Sequence, residues 1–151
     1  MGRIILGCDP GLSGALAIYT DDDPAKLCVE DMPVVDGRVS APLLANFVRL
    51  WKPDLAVVEY VASSPQMGVR SAFNFGCGYG QLLGVLGALG VRHESVTPST
   101  WKRWFKLSRD KEESRAKAIQ LFPQRAELFK RRKDDGRAEA ALIALYGADT
   151  L

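Results

Sequence analysis

Two apolar runs in this 151-residue chain each end in an acid: Ile4-Ile5-Leu6-Gly7-Cys8 in Asp9, and Leu55-Ala56-Val57-Val58 in Glu59. A third acid, Glu139, opens the apolar stretch from Ala140 to Leu145, with Asp134 and Asp135 just before it. Acids at the ends of buried elements so far apart in sequence converge only through the fold. Two unit charges ~4 Å apart at an effective dielectric of ~20 repel by about 4 kcal/mol. A converged set therefore stays ionised only beside a cation. Mg²⁺ is the usual occupant of an all-oxygen site, with Mn²⁺ as a substitute. The chemistry this predicts is that of a metal-dependent active site.

Local spacing supports the convergence. Asp135 and Glu139 are four residues apart, so a helix presents them on one face. Asp134 falls in the cap region, where an acid suits the helix dipole. The same three acids would also fit a capped surface helix with an acidic first turn. Ala138, Ala140 and Ala141 favour the site, because small residues let this helix approach a sheet closely. The turn Asp9-Pro10-Gly11-Leu12-Ser13-Gly14 permits close approach of a phosphate or metal, although Asp and Gly are also ordinary turn residues.

The elements that must position these acids follow from periodicity and punctuation. Residues 3–8, 14–20 and 26–32 read as strands, with a loop at 33–39. Ser40 caps a helix that uses Leu43, Leu44, Phe47, Val48, Leu50 and Trp51 and ends at Pro53. Residues 55–59 form a short continuous apolar strand covered on both faces. A polar loop at 61–70 precedes a glycine-rich helix reaching about residue 89, then a strand at 91–96. Helices are predicted at 98–107, 110–121, 124–132 and 136–146, the last stopped by Gly147. This order predicts an α/β fold: a mixed five-stranded sheet, three antiparallel strands followed by parallel ones, flanked by helices. If the fourth strand lies parallel to and beside the first, Asp9 and Glu59 emerge together at the carboxyl ends, where open sheets place ligands.

Composition sets the bounds. Hydrophobic content of 47% and charged content of 25% are those of a soluble globular chain. The three cysteines form no C-x-x-C pair, so neither a disulfide framework nor a zinc site is expected. No stretch approaches a membrane span and no signal peptide is evident, so the expected location is cytoplasmic, in a bacterial cytosol or a phage-infected cell, and not secreted. The net charge of +2 hides an asymmetry. Residues 1–100 carry seven Lys/Arg against ten Asp/Glu, whereas residues 101–137 carry thirteen against six. A basic segment beside an acidic cluster points to a polyanion brought to a metal. A solvated helical surface is the competing explanation, weakened by the interleaved Trp101, Trp104 and Phe105.

Taken together, Cys8-Asp9-Pro10-Gly11, Val58-Glu59-Tyr60-Val61, Pro98-x-x-Trp101-Lys102, Asp110-Lys111 and Asp135-Gly136-Arg137-Ala138-Glu139-Ala140 resemble, in order, the motifs of RuvC-type Holliday junction resolvases, in particular their compact phage and organellar branch. The resemblance covers nearly the whole chain. It implies a single RNase H-like nuclease domain over 1–151, a homodimer, and paired Mg²⁺-dependent nicks in four-way DNA junctions. It further implies two ions per site, with Asp9 bridging them and Glu59, Asp135 and Glu139 completing the shells. Gly136 stands where the family usually has an acid or histidine, three residues before the last acid. The shifted candidates are Asp135, favoured by the shared face with Glu139, and Asp134. Lys102 and Lys111 match phosphate or transition-state contacts. Arg103, Lys106, Arg109 and Arg115 would extend a phosphate-tracking surface, and Arg70 and Phe73 lie in the segment after Glu59. The family analogy gives an aromatic of this segment a stacking role at the crossover; Phe75 also fits the apolar helical face, which makes Phe73 the better wedge and Phe75 core.

Other functions fit parts of this pattern. The Asp9 turn also resembles the first phosphate loop of actin-like and sugar-kinase ATPases, but no nucleotide cofactor is expected here. An RNase H-like nuclease for other branched or RNA-containing substrates, or a non-catalytic junction-binding module, would share the fold, since fold does not fix substrate.

Overall fold

The structure is a computed structural model that describes residues 2–60 and 62–151. Val61, the last residue of the second motif and the first of the expected loop, lies outside the described residues. The chain runs β1 (Ile4–Asp9), β2 (Ala15–Thr20), β3 (Cys28–Asp31), β4 (Val34–Val35), β5 (Arg38–Val39), α1 (Ala41–Trp51), β6 (Leu55–Glu59), α2 (Val69–Ala88), β7 (His93–Val96), α3 (Pro98–Trp104), α4 (Lys111–Leu121) and α5 (Asp135–Thr150). No described helix is long and apolar enough to cross a membrane.

The expected mixed sheet is present, in the order β3-β2-β1-β6-β7. β1, β2 and β3 pair antiparallel, while β6 lies parallel to β1 and β7 parallel to β6. Side chains alternate across the sheet. Leu6, Cys8, Ala56 and Val58 face α1 and α2, where they meet Leu44, Phe47, Val48, Leu82 and Leu86. Ile5, Leu55 and Val57 face the other way, against α5, α3 and α4. By the same alternation Asp9 and Glu59 belong to the α5 face. Cys8 pairs with Val58 in the parallel register, so the two acids occupy the next matched positions.

α5 lies unusually close to β1. A Cβ on Gly7 would overlap the backbone of Ala140 and Ala144, and one on Gly136 would meet the Ser13 carbonyl. Ala138, Ala140, Ala141 and Ala144 are fully buried on this helix. Small residues on both surfaces thus bring the first turns of α5 down onto the carboxyl end of β1.

Several elements differ from expectation. The loop expected at 33–39 contains a hairpin, in which Val34 pairs with Val39 and Val35 with Arg38. Asp36 and Gly37 carry φ of 52° and 74°, the pair of left-handed residues that a two-residue hairpin turn requires. Residues 123–129 form a 3₁₀ stretch broken at Arg125 rather than an α-helix. α5 does not stop at Gly147 but runs on to Thr150; a Cβ at Gly147 would strike Val57, so this glycine serves close helix–sheet packing. α2 begins at Val69, which puts Arg70 on a helix instead of in the expected loop, with Phe73 on the same helix. Leu43 and Leu50, expected on the apolar face of α1, are exposed.

Candidate active site

Oxygens of Asp9, Glu59 and Glu139 lie within 4.8 Å of one another. β1 and β6 supply the first two side by side, and the close approach of α5 supplies the third. Asp9 has its carboxyl raised well above the usual range, first by burial and then by the charges of Glu139 and Glu59, with Lys111 opposing. Burial also raises Glu59, against a hydrogen bond from Trp101. Burial and mutual repulsion thus both work against the ionised forms of Asp9 and Glu59.

The donor set fits a divalent metal. All three groups offer hard carboxylate oxygens. Glu139 is buried, and its Oε1 accepts no hydrogen bond. The Lys102 ammonium stands 3.4 Å from that oxygen, an ion pair outside hydrogen-bond geometry. An orphaned carboxylate oxygen facing two further acids is what a cation would satisfy.

The neighbouring acids divide sharply. Asp135, the first residue of α5, pairs with Lys111 at 3.1 Å, and its charge reaches Asp9. It stands beside the trio without belonging to it. Asp134 is buried at 2% exposure and turned to Arg131, whose backbone N–H, Nε and Nη2 approach it at 2.8, 3.0 and 2.9 Å. Burial opposes its ionisation, but the Arg131 hydrogen bonds and the Arg131 and Arg137 charges outweigh burial and hold the carboxyl below its usual value. Asp134 thus closes the turn into α5; the structure does not bring it into the cluster.

The expected basic residues separate in the same way. Lys102 lies within the site, 17% exposed, between Glu139 and the face of Trp101. Lys102, Arg103, Lys106 and Arg109 line a groove of about 900 Å³ along α3. Arg115 is not available for a phosphate-tracking surface: it pairs with Glu112 and hydrogen-bonds the carbonyls of Phe129 and Lys130. Phe73 is 69% exposed and Arg70 is exposed beside it on α2. Phe75, expected in the core, is half-buried over Gly11 of the Asp9 turn.

Trp101 carries the feature that sequence reasoning missed. Its place in a basic run suggested an aromatic directed at a polyanion, yet it is fully buried and donates from Nε1 to Glu59 Oε2 at 2.7 Å. An indole only donates, so it fixes one Glu59 oxygen and leaves the other for a ligand. Outer partners of metal ligands are typically worth 10–100-fold in affinity or activity. Trp101→Phe is accordingly expected to weaken divalent-metal binding by about 10–100-fold. Calorimetric titration of both proteins with a divalent metal checks this.

The raised carboxyls also set a stability profile. A folded value above the unfolded one contributes stability that is complete below the unfolded value and lost as pH rises through the folded value. In EDTA the protein should therefore melt at lower temperature as pH rises above the ordinary carboxylate range. A divalent metal at millimolar concentration should flatten that decline, because a bound cation favours the ionised carboxylates. Thermal melts with and without EDTA over this rise in pH test it.

Compared by sequence, the chain matches no protein-family model and no curated protein. Compared by structure, it is similar to Thermus thermophilus RuvC in complex with a Holliday junction substrate, at a TM-score of 0.66 and 17% identity over 97% of this chain and 95% of that one. The fowlpox virus Holliday junction resolvase is similar at 0.60 and 18% identity, over 97% and 98%. The yeast mitochondrial Holliday junction resolvase gives 0.53 and 14%, over 93% and 76%. At these identities the likeness is one of fold, and the chain has the RuvC-type resolvase fold.

Proposed function

We propose that this chain is a Holliday junction resolvase, a metal-dependent endodeoxyribonuclease that makes paired nicks in four-way DNA junctions. One observation carries the proposal: within a fold similar to known resolvases, three acids from β1, β6 and α5 converge around a buried carboxylate oxygen that has no hydrogen-bond partner. A module that only bound DNA would gain nothing from buried anions facing phosphates.

Asp9, Glu59 and Glu139 would hold the metal, and Asp135, paired with Lys111 beside Asp9, would complete the ligand set. Two Mg²⁺ ions bound there would activate water and stabilise the leaving 3′ oxygen. The chain's own groups do the positioning. Trp101 fixes Glu59. Lys102 and Lys111, which pair with Glu139 and Asp135, would contact the scissile phosphate. Arg103, Lys106 and Arg109 follow the backbone along α3. Exposed Phe73 stacks on an unpaired crossover base, a contact worth about 1–3 kcal/mol, with Arg70 beside it. A homodimer with two-fold symmetry gives each of two equivalent strands its own site.

The test compares a mobile four-way junction, a Y-fork and a linear duplex in Mg²⁺, with and without EDTA. The proposal expects symmetric cuts in the junction, weaker cutting of the fork, none in the duplex, and none in EDTA. Equal cutting of junction and duplex would overturn it.

A further inference from the structure

Resting on that reading, we infer that the four consecutive cations Lys130-Arg131-Arg132-Lys133 form a second DNA-backbone grip, which holds phosphates on the side of the scissile bond opposite to α3. All four are exposed. Lys130, Arg132 and Lys133 make no side-chain ion pair among the described residues, and the pairing of Arg131 is the one with buried Asp134.

Place and orientation distinguish this run from a solvated surface. Arg131 and Lys133 line a polar notch with Leu12, Ser13, Gly14 and Asp31, on the turn that follows Asp9. The notch therefore lies toward β2 and β3, whereas α3 follows β7 at the opposite edge of the sheet. The acid trio, drawn from β1, β6 and the start of α5, stands between the two basic surfaces. Four strand intervals of ~4.8 Å make the sheet about 19 Å wide, which spans about five phosphates of one strand at ~3.4 Å of helix axis each. A strand crossing the sheet with its central phosphate at the trio thus meets cations at both ends. Asp134 completes the case: its buried carboxylate grips Nε and Nη2 of a guanidinium that stays 52% exposed. A fixed, half-exposed arginine suits a phosphate better than a mobile one, since less side-chain freedom is lost on contact.

The experiment measures junction binding against salt in EDTA for wild type, for Lys130→Ala/Arg132→Ala/Lys133→Ala, and for Lys106→Ala/Arg109→Ala. Arg131 is kept because it holds Asp134. The triple variant should melt as wild type does, yet its slope of log affinity against log salt should be shallower by about 2–3, at roughly 0.9 for each phosphate no longer neutralised. Neutral methylphosphonates placed on either side of the cut locate each grip. The triple variant should become insensitive to those on one side, and the α3 variant to those on the other. An unchanged slope, or loss of sensitivity on the same side in both variants, overturns the inference. If wild type cuts junctions while the triple variant keeps its slope, the inference fails alone; if wild type binds no DNA, the proposed function fails with it.

Discussion

Asp9→Asn should abolish junction cleavage while leaving the folded protein more stable than wild type in the absence of metal. Asp9 occupies the centre of the site: Glu139, Glu59 and Asp135 all bear on its charge. Replacing it removes a ligand from the trio, and since even outer partners of metal ligands cost about 10–100-fold, the loss of rate should exceed about 10²-fold. The stability change has the opposite sign. Burial and neighbouring acids disfavour the ionised Asp9 carboxyl, and a neutral amide relieves both. Junction affinity should hold or tighten, because a negative charge beside the phosphates is gone. This triple signature separates a lost ligand from a damaged fold. Gel cleavage, thermal melts in EDTA and a binding titration measure its three parts. A variant that cuts at the wild-type rate would remove Asp9 from the site.

The adjacent aspartates should fail in opposite ways. Asp135→Asn breaks the pair with Lys111 beside Asp9 and leaves the helix start intact, so the rate should fall by about 10-fold to 100-fold with little change in melting temperature. Asp134→Asn should spare the chemistry and cost stability. Breaking a fully buried ion pair costs about 3–5 kcal/mol. With Arg131 half exposed the figure here should be nearer ~2 kcal/mol, lowering the urea midpoint. Assays well below the melting temperature keep the two effects apart. If Asp134→Asn kills activity in a stable protein, the carboxylate held by Arg131 is a ligand and the turn must open for it.

These contrasts mark how far the residues alone could be read. The convergence of Asp9 and Glu59 was legible because strand alternation and a parallel register are periodic properties, and both acids end apolar runs. Glu139 followed from the alanines around it, which let α5 descend onto Gly7. Asp135 was favoured over Asp134 by the face it shares with Glu139, but Asp134 stayed open, since the difference is the start of one helix by one residue and the partner that Arg131 offers. Trp101 was hidden for a related reason: α3 turns it inward to Glu59 while its neighbour Lys102 reaches Glu139, a division that short helices do not advertise. The hairpin at Val34–Val39 did carry a signal in Asp36-Gly37 between Val34-Val35 and Arg38-Val39, the residue pair that a two-residue turn favours over an open loop.

The most direct test of paired, metal-dependent resolution is a supercoiled plasmid with an extruded cruciform, incubated with the chain in Mg²⁺. Paired nicks made while the junction persists yield linear DNA, whereas a single nick relaxes the cruciform and leaves an open circle. A resolvase built on the Asp9, Glu59 and Glu139 site should give linear product with ends mapping to the cruciform base, absent in EDTA and absent with Asp9→Asn. Open circles alone, or linear product that persists in EDTA, would contradict it.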